Sequence, residues 1–169
     1  PINAMGMTKA LMEKIMTAFV RNGNGKAGTE VCAVRYGNVL YSRGSVIPLF
    51  VNQIRQGEKL TITDERMTRF LLPLSEAVDL VLTALVDGRN GNIYVKKAPA
   101  ATMMVVAQAL CKIFHYSNGY EVVGSRAGEK MHETLISAEE RLRTIDRGAY
   151  YEIPPETQGL DYDKYFSYG

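Results

Sequence analysis

The chain has 169 residues, of which 46% are hydrophobic and 22% charged, and its formal net charge is +2. These are ordinary globular proportions, and the length supports one domain with a sizeable core. So small a charge, with no basic run interleaved with aromatics, argues against nucleic acid or a membrane surface as partner. No apolar run approaches the roughly 18 residues of a membrane span, and no signal peptide is visible, so a soluble cytoplasmic protein is expected. Cys32 and Cys111 stand singly inside apolar segments, which predicts buried free thiols rather than a disulfide or metal site.

The first predicted element is a helix over 4–20, with Asn3 as its N-cap and Met5, Lys9 and Met12 on one face. The cluster Asn22-Gly23-Asn24-Gly25-Lys26-Ala27-Gly28 follows that helix and precedes a strand, so it reads as a loop and not as a phosphate cradle. Residues 31–36 form a near-continuous apolar run, as in a parallel strand covered on both faces. Ligands gather at the carboxyl ends of such strands, and Gly37-Asn38-Val39 lies there.

A helix is expected up to Gln56, with Pro48 in its first turn, and 59–63 alternates as a short strand. Another extended piece spans 67–72. Ser75 is the expected cap of a helix with apolar residues at 77, 78, 81, 82 and 85. A strand over 92–96 precedes a helix from Thr102 to about Phe114. A strand over 120–124 leads to a short helix or turn over 128–133, and the segment 150–155 reads as an extended surface tail. Alternating strands and helices give an α/β class. The methionines at 5, 7, 12, 16, 103 and 104 are expected to fill the core. His132 has no partner spacing that suggests a metal, and none is expected.

The opening Pro1-Ile2-Asn3-Ala4-Met5-Gly6-Met7-Thr8-Lys9 resembles the active-site helix of extended short-chain dehydrogenase/reductases that act on nucleotide sugars. That pattern usually carries Tyr-x-x-x-Lys; here Met5 replaces the tyrosine and Lys9 keeps the lysine. A thioether exchanges no proton, whereas a phenol does. Methionine at this place resembles the UDP-N-acetylglucosamine 4,6-dehydratases of capsule and O-antigen synthesis. Three further segments match in order: 35–48, 61–70, and Gly124-Ser125-Arg126-Ala127-Gly128-Glu129-Lys130-Met131-His132-Glu133.

The resemblance implies the C-terminal part of a Rossmann-type fold plus a small α/β substrate-binding domain. Residues 1–58 would end the dinucleotide-binding domain, and 59–169 would hold mainly the substrate-binding domain and tail. No glycine-rich strand-to-helix turn for a dinucleotide is present, so the chain is expected to be the second half of a longer protein. By resemblance, Lys9 is the catalytic-helix lysine with Met5 beside it, and Lys9 and Tyr36 touch the cofactor, NADP. Asn38, Arg43, Ser45, Val46, Arg69, Arg126 and Glu129 would bind the substrate, a UDP-hexosamine such as UDP-N-acetylglucosamine. A homo-oligomer is implied for the whole protein.

The chemistry of these residue types is compatible. Guanidinium forks suit a diphosphate, and a carboxylate at Glu129 suits a ribose diol. A membrane-anchored retaining dehydratase and a UDP-sugar 4-epimerase remain open as alternatives. So does a non-catalytic module for nucleotide-sugar binding or oligomerisation.

Overall fold

A computed structural model describes residues 3–23, 28–125 and 128–156. In chain order its elements are α1 (Ala4–Arg21), β1 (Ala33–Arg35), α2 (Val46–Gln56), β2 (Leu60–Ile62), β3 (Thr68–Phe70), α3 (Leu74–Asp87), β4 (Ile93–Lys96), β5 (Ala100–Thr102), α4 (Met103–Ile113), β6 (Tyr120–Val122), α5 (Ala138–Arg141), β7 (Ile145–Asp146) and β8 (Tyr150–Ile153). The α/β class read from the sequence holds.

The start of α1 follows from its cap. The Asn3 side chain accepts the Gly6 amide at 2.8 Å, satisfying one of the donors that a helix start leaves unpaired. Thr102 does the same for α4, accepting from Val105 N. Ser75 does not cap α3: the helix begins at Leu74, Pro73 holds the cap position, and Ser75 is already helical. Proline fixes the φ of that entry without any side-chain bond.

A four-stranded sheet has the order β1-β4-β8-β7, with β1 parallel to β4 and the other two pairings antiparallel. Side-chain alternation gives it two faces. On one face, Val34, Tyr94 and Tyr150 pack with Leu80 and Ala84 of α3. On the other, Ala33, Ile93, Val95, Tyr151 and Ile153 pack with Met16 of α1 and with Leu135 and Ile136. The segment 150–155 is therefore no surface tail, because its residues 150–153 form β8 and Ile153 is buried beside β4. Its charged member Glu152 is buried too. It accepts from Asn92 Nδ2 at 2.5 Å and Arg147 Nε at 2.7 Å, which is what a buried carboxylate requires.

The second apolar centre lies beside the sheet. Phe50 of α2, Leu60 and Ile62 of β2, Met67, and Met103, Val106 and Ala107 of α4 bury one another. Full burial of a side chain such as Phe50 contributes about 1.5–3 kcal/mol. Here β2 pairs in parallel with β6, while β3 pairs antiparallel with β5. Residues 128–133 form a turn at Gly128 followed by a single bridge from His132 to Thr68, not a helix.

The methionines divide. Met103 is buried and Met16 packs on the sheet, as expected of core filler. Met5, Met7 and Met12 are 72%, 54% and 53% exposed, contrary to that expectation. The reason is that α1 meets the sheet along one narrow line and has no buried residue among those described. Both cysteines are free and half-buried, and the Cys32 thiol donates to Ala84 O at 3.6 Å.

Candidate functional site

The carboxyl end of β1 runs into residues 37–45, which turn into α2. This stretch is laced to the chain after β3: Leu72 N donates to Asn38 O at 3.1 Å and Leu40 N to Leu72 O at 2.8 Å. Gly37 permits that approach, because a Cβ there would lie 2.3 Å from Phe70 Cβ. Gly44 adopts φ +75°, a left-handed turn that delivers Ser45 as the N-cap of α2.

Above this junction opens a cavity of about 260 Å³. Its wall includes Asn38, Ser45 and Val46 from the strand end and helix start, Thr61 and Thr63 from β2 and just beyond, Arg69 of β3, and Glu129. Phe50, Met67 and Met103 form its apolar floor, shared with the core.

Three polar groups in this wall stand out. Ser45 makes no side-chain cap bond, and its Oγ is buried without a hydrogen-bond partner among the described residues. The same holds for Glu129 Oε2. Buried polar atoms are normally paired, and an unmade bond costs about 1–3 kcal/mol, so two in one cavity are a signal for a bound polar molecule.

The third group is Arg69, whose side chain is 13% exposed. Its Nη1 is anchored to Thr68 O at 2.7 Å. Its Nη2 lies 3.8 Å from Glu129 Oε1 and its Nε 3.9 Å from Glu133 Oε1. Both distances exceed a hydrogen bond, so the fork is electrostatically held yet keeps donors to offer. The Val46 and Ile47 amides at the start of α2, whose next residue Pro48 has none, add donors and a partial positive charge beside the same cavity.

The structure thus brings together Asn38, Ser45, Val46, Arg69 and Glu129, five of the residues that the sequence singled out. Arg43 stays on the exposed loop before Ser45 and is absent from the cavity wall. Tyr36 is 43% exposed beyond β1 and does not line the cavity. Arg126 lies outside the described residues. Met5 and Lys9 are exposed on α1. The start of that helix nevertheless adjoins the segment bearing Glu129, since a Cβ at Gly128 would lie 4.0 Å from Asn3 Cβ.

Sequence reading missed Thr61, Thr63, Met67 and Met103 of the cavity wall. The alternation of 59–63 already placed Thr61 and Thr63 on one face of a strand, but nothing said which way that face turned. Among the described residues, no group of three His, Cys, Asp or Glu side chains could hold a metal ion. Thr68 Oγ1 and His132 Nδ1 are hydrogen-bonded to each other at 2.8 Å. No described helix is long and apolar enough to cross a membrane.

The whole chain is 52% identical over 169 residues to a protein named UDP-glucose 4-epimerase in Rickettsia akari, covering 49% of that relative. It spans about half the length of the relatives it matches. Among solved structures, Pen from Bacillus thuringiensis superposes with a TM-score of 0.84 at 34% identity, over 91% of this chain and 49% of Pen. The dTDP-glucose 4,6-dehydratase DesIV from Streptomyces venezuelae, solved with NAD and TYD bound, gives 0.70 at 19% identity, over 96% and 48%. This last likeness concerns the fold alone, that of the C-terminal part of Rossmann-type epimerases and dehydratases. With a profile of the family described as "Polysaccharide biosynthesis protein" matching residues 1–155, through every segment that builds the cavity, the chain belongs to that family.

Proposed function

We propose that the cavity holds the nucleoside diphosphate of a UDP-sugar, and that the complete protein is a UDP-N-acetylglucosamine 4,6-dehydratase of surface-polysaccharide synthesis, acting in the cytoplasm as a homo-oligomer. The observation that carries this reading is the pairing of two unpartnered buried oxygens with a guanidinium in one cavity. Arg69, Ser45 Oγ and the α2 amides supply donors for phosphate oxygens. Glu129 Oε2 supplies an acceptor for a ribose hydroxyl, a role that a purely phosphate-binding site would not need. The apolar floor excludes water and strengthens each of these bonds.

Met5 exchanges no proton, so dehydration and epimerisation alike, which both begin with loss of the carbon-4 hydroxyl proton, would need another base. The dehydratase reading is taken from the resemblance that a methionine at this place carries. Lys9 then acts by charge: an ammonium beside the sugar favours the ionised form of any nearby acid. The division of the chain at about residue 58 into cofactor-side and substrate-side parts belongs to the same proposal.

The described residues do not fit a whole dinucleotide. The N-terminus of α2 faces the nucleotide cavity, and no second glycine turn opens a long helix among them. NADP, which would take and return the hydride, would need contacts beyond those of the described residues, with Lys9 and Tyr36 offering only a ribose-binding ammonium and phenol.

The test is product analysis. Full-length protein given UDP-N-acetylglucosamine and NADP should yield a product lighter by one water, the 4-keto-6-deoxy sugar, by mass spectrometry. An isomer of unchanged mass, with the axial hydroxyl at carbon 4 seen by NMR, would replace the dehydratase reading with the epimerase one. Binding of the nucleotide sugar with no turnover would favour the non-catalytic module.

A further inference from the structure

We propose that Arg35 is the positioning residue of the site, locking in one mutual geometry the three segments that carry its chemistry. These are α1 with Lys9, the strand end that leads to Asn38, and the segment 128–136 with Glu129 and Glu133. The proposal rests on the reading above that Lys9 works beside the reacting sugar.

Every guanidinium proton of Arg35 is used. Nε and Nη2 donate to Glu13 Oε1 and Oε2 at 2.7 and 2.6 Å. Nη2 and Nη1 donate to Glu140 Oε1 and Oε2 at 2.8 and 2.9 Å. Nη1 also donates to Leu135 O at 2.9 Å. A guanidinium has five donors in a fixed plane, and here five bonds go to three different parts of the chain. The side chains of Arg35, Glu13 and Glu140 are only 20%, 17% and 18% exposed, so solvent screens the cluster weakly.

Three features give the cluster consequence for the site. Packing alone leaves the rotation of α1 poorly fixed, because that helix has no buried residue. Glu13 follows Lys9 by four residues and so shares its helix face, one turn away. Holding Glu13 therefore sets where Lys9 points. At the other end, Glu140 cannot swing aside, because the capping box of α5 holds it: Ser137 N donates to Glu140 Oε2 at 2.9 Å. Leu135 is two residues from Glu133, whose carboxylate lies 3.9 Å from Arg69 of the cavity wall, and Arg35 is three residues before Asn38 of that wall, so the same hub bears on the site from both sides. A lysine could not replace Arg35, having three donors and no fork.

The experiment is a double-mutant cycle in the full-length protein, between Glu13→Gln and Lys9→Ala. Glu13→Gln keeps the side chain's shape but turns an amide toward the guanidinium. It should lower kcat on UDP-N-acetylglucosamine at least ~10-fold while KM stays within about threefold, the pattern of a displaced group rather than lost substrate binding. In the Lys9→Ala background it should cost nothing more, because the group it positions is gone. Independently of turnover, hydrogen exchange over residues 4–21 should quicken in Glu13→Gln by more than exchange in the β4 and β8 core does.

Losses that multiply in the double variant, a raised KM with unchanged kcat, or unchanged exchange in α1 would overturn the proposal and leave Arg35 a structural ion pair. If Lys9→Ala is impaired but Glu13→Gln is not, only the positioning role falls. If Lys9→Ala itself turns over normally, the reading of α1 as the active-site helix fails, and the positioning role with it.

Discussion

Replacing Gly37 by alanine should damage the cavity without removing any group that touches a ligand. The glycine sits between β1 and Asn38, directly across from Phe70, which follows Arg69. A Cβ at this position would meet Phe70 Cβ at 2.3 Å, with Cγ at 3.0 Å and Cδ2 at 3.4 Å. Carbon atoms rest at about 3.5–4.0 Å, so the two strands must part by roughly 1.2–1.7 Å. The obstacle is Phe70 Cβ, which no rotamer change moves away from its own backbone. Gly37 does not occupy the left-handed region, so the effect is steric and owes nothing to φ. Parting the strands stretches the bonds between Asn38 and Leu72 and carries Asn38 away from Arg69.

Overpacking of this kind costs about 1–3 kcal/mol, a Tm fall of roughly 2–12 °C. Affinity for UDP should drop at least ~10-fold, or about 1.4 kcal/mol. Thermal melting and isothermal calorimetry of the full-length variant measure both. A Gly37→Ala protein with wild-type Tm and wild-type UDP affinity would refute the idea that this crossing sets the width of the site.

Two further outcomes are expected. Phe50→Ala should destabilise by roughly 3–5 kcal/mol, read by denaturant unfolding, because Phe50 is fully buried and its removal opens the core into the nucleotide cavity. The third concerns acid. The hydrogen bonds from Arg35 hold Glu140 at about 2, below its ordinary 4.5, outweighing the opposing effect of burial. A depressed carboxylate contributes stability that is present above its unfolded value and lost as pH falls toward its folded one. The Tm difference between wild type and Glu140→Gln should therefore shrink as pH is lowered from about 5 to about 2; a gap that stays constant or widens would contradict the ion pair.

Much of this architecture was legible in the chain itself, and what was missed has physical causes. The helix starts at Asn3 and Thr102 could be read because a cap is local chemistry, complete within four residues. The strand end at Asn38 and the helix ending at Gln56 were found because glycine and apolar runs punctuate that stretch plainly. By contrast α5 and β7 are only 4 and 2 residues long, too short to show a period, and Ala100-Ala101-Thr102 of β5 carries no apolar–polar alternation. The strand β8 read as tail because Tyr150-Tyr151-Glu152-Ile153 carries a charge in its middle. Asn92, 60 residues away, and Arg147, across the β7–β8 turn, make that charge tolerable inside. The exposure of Met5, Met7 and Met12 was illegible for a related reason: an apolar stripe says that a face wants cover, not whether this chain supplies it. Arg35 looked like one more residue at a strand end, since its five acceptors come from positions 13, 135 and 140.

The claim that the cavity is a nucleotide-diphosphate site is tested most directly by titrating UDP into the full-length Arg69→Gln protein, once circular dichroism shows it folded. Arg69 is the charged donor in the cavity wall, and glutamine keeps its reach while removing the charge. Losing one partner of a desolvated charge pair costs about 2–4 kcal/mol, so Kd should rise by roughly 30- to 1000-fold over wild type. An Arg69→Gln protein that binds UDP as tightly as wild type would place the nucleotide elsewhere and empty the account of its centre.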